Sequence, residues 1–414
     1  MFPGPAMAAG EYQERGADMG TSAGVGLSLH KNPAEAGKEA ALQAMERGGM
    51  AKPDFVFVFA TVGYDQKLLI GSIRDASAGA PLSGCSGEGI ITAGAAAETN
   101  FGVCVLAIAS DELRFANACV QGLDAGYARA GEELAEEVRP LLEADTVACF
   151  LFADGLLFDF DPFRDAFERT LGRDRKLPLF GGLAANNLST RKTYQYHNDR
   201  VISEGICCVV MSGNARLAWG VNHGCVPVGT RRTITRCQGN IIYEIDGIPA
   251  LKALKEYIEN GSASDWNRVT LNLCLGFKTP EHLRQEYGEY IIRYMMDKND
   301  AEGWVSIQSD VTQGSALWIM RRDKELMREG LQAISEHIRE QLGTSRPKLV
   351  MQFECMGRGR VVYREQEKIE LLKSLQDDLG AGLPWIGFYS YAEIGPVSGY
   401  NCIHNFTSVL LAVY

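Results

Sequence analysis

The sequence predicts an α/β to α+β protein, two packed domains in which mixed β-sheets are layered by helices. Three observations carry that reading. Nearly continuous apolar runs of strand length recur along the chain, as in sheets covered on both faces. Between them lie stretches with apolar residues at helical spacing and legible caps. Three times, an apolar strand leads through a helix-like stretch into the phrase Pro-apolar-x-Gly: Pro81-Leu82-Ser83-Gly84, Pro178-Leu179-Phe180-Gly181 and Pro384-Trp385-Ile386-Gly387. That recurrence predicts internally duplicated strand-helix-turn units whose turns converge on a shared pocket. The plainer alternative is a set of tight turns between strands.

Taken in order, residues 1–29 read as an irregular leader, because Met1 to Thr21 is small and polar and lacks the basic and apolar regions of a signal peptide. Asn32 caps a helix that Pro33 begins and Gly48-Gly49 ends. Further helices are expected near Ala130, Leu134, Val138 and Leu141, and over 161–172, 247–260, 279–296, 322–342 and 365–379. Strands are expected at 55–59, 102–108, 147–152, 205–211, 269–275, 349–353 and 408–413, with a half-exposed hairpin from Lys192 to Asn198. After the strand 216–220 the pattern becomes polar and then resets at Ile241. A boundary near residue 220 therefore divides a domain of residues 30–220 from one of 221–414.

Bulk properties exclude several functions. At 414 residues the chain has ample length for two or three cores. A formal charge of −11 argues against nucleic acid, which demands clustered Lys and Arg. No apolar run approaches the ~20 residues of a membrane helix. Eleven cysteines, scattered through apolar strands without a Cys-x-x-Cys pair, suit reduced thiols in a cytoplasmic protein.

The candidate site residues cluster around the recurring phrases. Ser83, Gly84, Cys85, Ser86, Gly87 and Glu88 form a small-residue run able to present backbone N–H groups and two hydroxyls to an anion. It is neither a nucleophile elbow, since Glu88 stands where glycine is required, nor a P-loop, since no lysine follows. Gly181, Gly182, Asn186 and Asn187 follow the second phrase, and Tyr389 and Glu393 the third. Glu88 and Glu393 could take an amine by a charge-assisted hydrogen bond, whereas Asn186, Asn187, Asn401 and Asn405 offer neutral donors and acceptors. Tyr389 and Tyr391 share one strand face. Of six histidines, His197, His223 and His404 lie in β-rich context and are candidate axial ligands for a haem. Without Cys-x-x-Cys-His, that haem could only be of b type. No paired acid–base set, metal-ligand spacing or activated nucleophile is visible, so the expectation is a binding protein and not an enzyme.

These residues resemble a family. The run Pro81 to Gly89, the run Pro178 to Asn186, Ile241 to Ala250, and the closing phrase Gly387 to Pro396 with His404-Asn405-Phe406-Thr407 together resemble the FIST family. The likeness covers roughly residues 30 to 414 and implies paired FIST N- and C-terminal domains. It also implies a sensory module that binds a small ligand, such as an amino acid, and regulates a signalling partner such as a histidine kinase or a cyclic-dinucleotide enzyme. A subset of the family is similar to haem-binding nitric-oxide sensors. Two departures stand out: Ala392 replaces a usual glycine, and Asn186-Asn187 stand where an aspartate is usual.

Overall fold

In the computed structural model, residues 20–172, 177–188, 192–258 and 266–414 are described, and they form helices layered on mixed sheets. The three recurring phrases belong to three copies of one unit. Each copy runs strand, helix, strand, helix, strand, hairpin, strand. The first comprises Thr21–Ser28, Pro33–Arg47, Phe55–Ala60, Gln66–Ala76, Leu82–Ser86, the hairpin Gly89–Thr92 with Ala95–Ala97, and Val103–Ser110. The second comprises Leu113–Gln121, Tyr127–Val138, Thr146–Ala153, Phe160–Leu171, Leu179–Leu183, the hairpin Gln195–His197 with Arg200–Ile202, and Gly205–Gly213. The third starts at Leu217–Asn222, so the join expected near residue 220 falls within its first strand. It continues with Lys324–Leu342, Leu349–Cys355, Glu365–Leu379, Trp385–Ser390, the hairpin Glu393–Val397 with Tyr400–His404, and Ser408–Val413.

Each copy contributes four strands to one six-stranded sheet, and in each the strands flanking the second helix are parallel. The hairpins are exchanged in a cycle. That of the first copy pairs with Trp385–Ser390 of the third, that of the second with Leu82–Ser86, and that of the third with Leu179–Leu183. Three sheets are thereby locked into one body.

Strand alternation builds its layers. Phe55, Phe57 and Phe59 face inward with Phe150, Phe152, Met351, Phe353 and Phe388, while Val56, Val58 and Ala60 face the helices. The rings of Phe59 and Phe388 stack at 4.5 Å, and Phe59 meets Phe152 at 5.4 Å. The centre of the body is therefore solid.

The recurring phrases are strands, not turns, which corrects the expectation. Gly84, Gly181 and Gly387 lie opposite Val58, Leu151 and Gln352 in the same register. A Cβ at these positions would stand 1.8, 2.0 and 2.1 Å from the neighbouring carbonyl oxygen. Glycine recurs because two strand backbones touch there.

The edge strand Thr21–Ser28 falls inside the stretch 1–29 expected to be irregular. Its small residues serve packing, since a Cβ on Gly24 or Gly26 would press to 2.2 or 1.9 Å on the backbone of the helix Pro33–Arg47. Caps follow expectation where they were legible: the Asn32 side chain accepts from Ala34 and Glu35 N–H.

Between the first strand and first helix of the third copy lies an insertion, which forms a separate nine-stranded sheet. Its central order is Tyr290–Arg293, Leu273–Lys278, Ala316–Arg322, Arg232–Gln238, Ile241–Ile245, Val305–Ile307 and Met295–Lys298. Ile234, Ile242, Leu254, Leu275 and Ile307 give it a core of its own. Sequence expectations fail most here. The helix expected over 279–296 stops at Glu281–Tyr287, where Gly288 takes φ 91°, and the remainder forms two strands. The strand expected at 269–275 begins at Leu273, after the helix Trp266–Asn272. Of the helix expected over 247–260, Ala250–Lys255 forms, and its last two positions lie outside the described residues. No helix among the described residues is long and apolar enough to cross a membrane.

Candidate functional site

The carboxyl ends of parallel strands are where loops of an α/β sheet gather ligands. In the second and third copies, several segments beyond strand ends line a cavity of ≈330 Å³. From the body come Gly155 and Leu156, Asn186 and Leu188, Cys355 to Gly357, Tyr391, and Asn405 with Phe406. From the insertion come Leu271, Tyr294, Met296 and Gln308. The cavity is a seam between the two regions.

Local chemistry fixes each wall. Asp154 accepts from the N–H groups of Leu156 and Leu157, at 2.8 and 2.9 Å, and from Thr193 Oγ1 at 2.6 Å, which shapes the 154–157 turn. Tyr391 Oη donates to Asn186 Oδ1 at 2.5 Å, tying the loop after Leu179–Leu183 to the loop after Trp385–Ser390. Asn405 Oδ1 accepts from Tyr294 N–H at 3.0 Å, and its Nδ2 donates to Gln308 Oε1 at 2.5 Å. One side chain of the body thus holds two segments of the insertion, Tyr294 between two strands and Gln308 just past a third.

Behind this floor, Glu393 is wholly buried. It accepts from Ser390 Oγ at 2.7 Å, Thr407 Oγ1 at 2.5 Å and Thr407 N–H at 3.2 Å. Burial pushes its pKa up to about 8, so it is largely a neutral acid at neutral pH. Burial likewise raises the Cys355 thiol well above its ordinary range, leaving a poor nucleophile in the wall.

The structure distributes the expected site residues unevenly. Asn186 and Asn405 line the cavity. Ser83, Gly84 and Cys85 are strand interior, with Ser83 Oγ donating to Tyr196 O. The three phrase ends do meet, but they bond one another: Ser86 Oγ donates to Ala185 O, and Glu88 N–H donates to Tyr389 O. Gly87 and Gly182 pack on Phe388. Gly181 is in mid-strand. Asn187 bonds Asn100 and Arg360, and Tyr389 lies beneath the Lys368 ammonium. Neither acid belongs to the cavity lining. Glu393 is enclosed as above, and Glu88 pairs its Oε1 with Arg360 at 2.7 Å, while its buried Oε2 has no hydrogen-bond partner among the described residues.

The histidines are elsewhere too. His197 sits in the edge hairpin opposite Ser83. His223 Nδ1 accepts from Cys225 N–H at 2.8 Å. His404 Nε2 meets Gly395 O at 2.9 Å while its ring stacks on Tyr287, and burial pushes its pKa down to about 3. None belongs to the cavity lining, so this cavity offers a haem b no imidazole from the set. Among the described residues, no group of three or more His, Cys, Asp or Glu side chains is placed to hold a metal ion.

Sequence reasoning missed Gly155, Leu156, Leu188, Cys355, Met356, Gly357 and everything from the insertion. One signal was present. The third copy spaces its first strand and helix about a hundred residues apart, whereas the other copies use a short loop.

An uncharacterized protein of Mycobacterium tuberculosis is 28% identical over 231 residues, covering 56% of this chain. The chain spans 59% of the length of that relative. An uncharacterized protein of Methanocaldococcus jannaschii is 26% identical over 324 residues, covering 70% of this chain and 60% of its own length. Among solved structures, a cyanuric acid hydrolase from A. caulinodans aligns over 95% of this chain and 99% of its own, at 10% identity and a TM-score of 0.35. A chorismatase aligns over 96% and 99%, at 8% identity and a TM-score of 0.35. Likeness at that level says nothing of this chain's chemistry. The sequence families are decisive: with a FIST N domain over residues 54–248 and a FIST C domain over 250–396, the chain belongs to the FIST family, whose domains are sensory modules of signalling proteins.

Proposed function

We propose that this chain is a signal-input protein that takes a small ligand into the cavity between the three-copy body and the insertion. Its occupancy is passed to a partner signalling protein, such as a histidine kinase or a cyclic-dinucleotide enzyme. One observation carries the reading: the cavity wall is shared, with Asn405 of the body already bonded to Tyr294 and Gln308 of the insertion. A guest in that seam contacts both regions and shifts any equilibrium between their packings by its differential affinity for them. Binding without turnover suits the lining, whose polar side chains among the described residues are amides and phenols beside a suppressed thiol.

Native mass spectrometry of gently purified protein, paired with hydrogen exchange before and after the guest is dialysed away, tests this. The expected result is a bound small molecule whose loss raises exchange together at 154–157, 290–298 and 305–308. Exchange that stays the same in all three segments sinks the proposal.

A further inference from the structure

Far from the cavity, the strand Leu113–Gln121 forms an edge of its sheet and pairs with Gly205–Gly213. Their register sets Cys119 directly opposite Cys207. All eleven cysteines are among the described residues, and no other two face each other in this way. Cys85 and Cys104 lie on either side of Phe59, and Cys225 and Cys274 on either side of Ala316–Arg322, so a strand separates each pair. Cys149 faces Val210, which leaves Cys208 on the diagonal. Directly opposed residues have Cα atoms about 4.5–5.5 Å apart, inside the roughly 4.4–6.8 Å that a disulfide spans, whereas diagonal neighbours stand about 7–8 Å apart. Cys119 and Cys207 can be joined without moving a strand.

The two thiols are unequal. Cys207 is wholly buried on the inner face, whereas Cys119 is half-buried at the sheet edge. Arg200 belongs to the hairpin that the second copy lends to the first copy's sheet. Its Nη1 donates to Cys119 Sγ at 3.6 Å, and its Nη2 to Gln121 Oε1 at 2.9 Å. The facing Cys207 S–H and this guanidinium hold the Cys119 thiol below its ordinary range, while burial raises Cys207. A partly exposed thiolate beside a cation attacks, and a shielded neutral thiol next to it resolves.

We propose that Cys119 and Cys207 are a peroxide-reactive dithiol, with Cys119, held by Arg200, as the nucleophile and Cys207 as the resolving thiol. The site stands apart from the cavity and from its ligand. The Cys119 thiolate attacks one peroxide oxygen, so that an S–O bond forms and the O–O bond breaks. The departing hydroxide or alkoxide takes a proton from water, and Cys119 is left as a sulfenic acid. The Cys207 sulfur then attacks the Cys119 sulfur; the S–S bond forms, the S–O bond breaks, and hydroxide leaves with the Cys207 proton as water. Two thiols lose two electrons in all, and the peroxide is reduced to water, or to an alcohol, with one further water. The new bond draws Cys119 Sγ off Arg200 and loosens the tie between the lent hairpin and the edge strand.

The test treats the full chain, fully reduced, with hydrogen peroxide, alkylates the remaining thiols and maps the peptides without reduction. The expected product is a Cys119–Cys207 disulfide that dithiothreitol reverses, formed at least tenfold faster than the half-buried Cys237 and Cys402 are oxidised. In Cys207→Ala, dimedone should capture a sulfenic acid at Cys119. In Arg200→Gln, the disulfide should form at least threefold more slowly. Mapping of the natural chain decides the matter even where Cys207→Ala fails to fold. A chain that stays reduced, a disulfide joining any other pair, or equal oxidation of Cys119, Cys237 and Cys402 overturns the inference. So does a Cys119 carried to sulfinic acid while Cys207 stays reduced, or an Arg200→Gln rate equal to that of the natural chain.

Discussion

The three-copy body and the insertion are built from opposite materials. In the body, sheets interlock by exchanging hairpins, glycines bring strand backbones into contact, and a phenylalanine cluster fills the centre. The insertion is a sheet with its own small aliphatic core, hung on one copy only. Yet four lining residues of the cavity come from it, closing a wall that the second and third copies leave open. Repetition supplies a rigid frame, and the departure from repetition supplies the place for a guest.

The strongest way to break that contrast is to add side chains to glycines in both regions. Gly181→Val would drive a Cβ to 2.0 Å from Leu151 O at a backbone φ of 138°. It should cost at least about 4 kcal/mol and yield little folded protein. Gly247→Ala in the insertion meets nothing within 4 Å and carries only the strain of φ 77°. About 1–2 kcal/mol is expected there by urea denaturation. Equal losses at the two sites would show that the frame is not specially intolerant.

Buried charge sharpens the same comparison. Lys368 and Glu98 pair at 2.8 Å with 3% and 1% of their side chains exposed, clamping the first copy's hairpin segment to the third copy. Lys368→Met strands the carboxylate and should cost about 3–5 kcal/mol, most of it recovered in the double variant with Glu98→Gln. In the insertion, Lys278 and Glu289 pair in the open, at 45% and 57% exposure. Lys278→Met should leave the denaturation midpoint in place.

Legibility in the sequence followed this division. The body could be read because its strands are continuously apolar and its helices carry caps such as Asn32 and Asp323. The recurring phrase pointed to the copies, although Gly84, Gly181 and Gly387 mark strand contacts and not turns. The insertion resisted because its elements are short and decided by pairing. Ile291 and Ile292 sit in a stretch with helical starting signals, yet they become a strand against Leu273–Lys278. The site was half legible. Asn186 and Asn405 could be named from local context, whereas Tyr294 and Gln308 reach the cavity only through tertiary packing of the insertion.

The two regions should also tilt stability in opposite directions as pH changes. Glu393, in the body, has its pKa raised from 4.5 to about 8 by burial. The folded state keeps a proton that the unfolded state releases across that window, so this group's contribution is full below 4.5 and is lost as pH rises through 8. Cys225, in the insertion, is shifted the other way, because the Cys274 thiol and His223 favour its thiolate. Its contribution is present above the ordinary thiol pKa and is lost as pH falls through the depressed value. Comparison with single variants cancels the remaining titrations. Relative to the natural chain, Glu393→Gln should remove a decline of about 1 kcal/mol per pH unit between 4.5 and 8. Cys225→Ser should remove a rise. Matching signs for the two variants would mean that one assignment of protonation is wrong.

The smallest stability effect separates frame from selector most directly. Tyr391→Phe deletes the 2.5 Å bond that holds Asn186 in the body's wall and should cost about 1 kcal/mol. Met296→Ala, at the 40% exposed rim of the insertion, should stay within about 0.5 kcal/mol of the natural chain. Native mass spectrometry should nevertheless show the guest reduced at least threefold in Met296→Ala, since a lining side chain of the insertion is cut away. If Met296→Ala keeps its guest while Tyr391→Phe sheds it, selection belongs to the repeated body, and the insertion is only a cover.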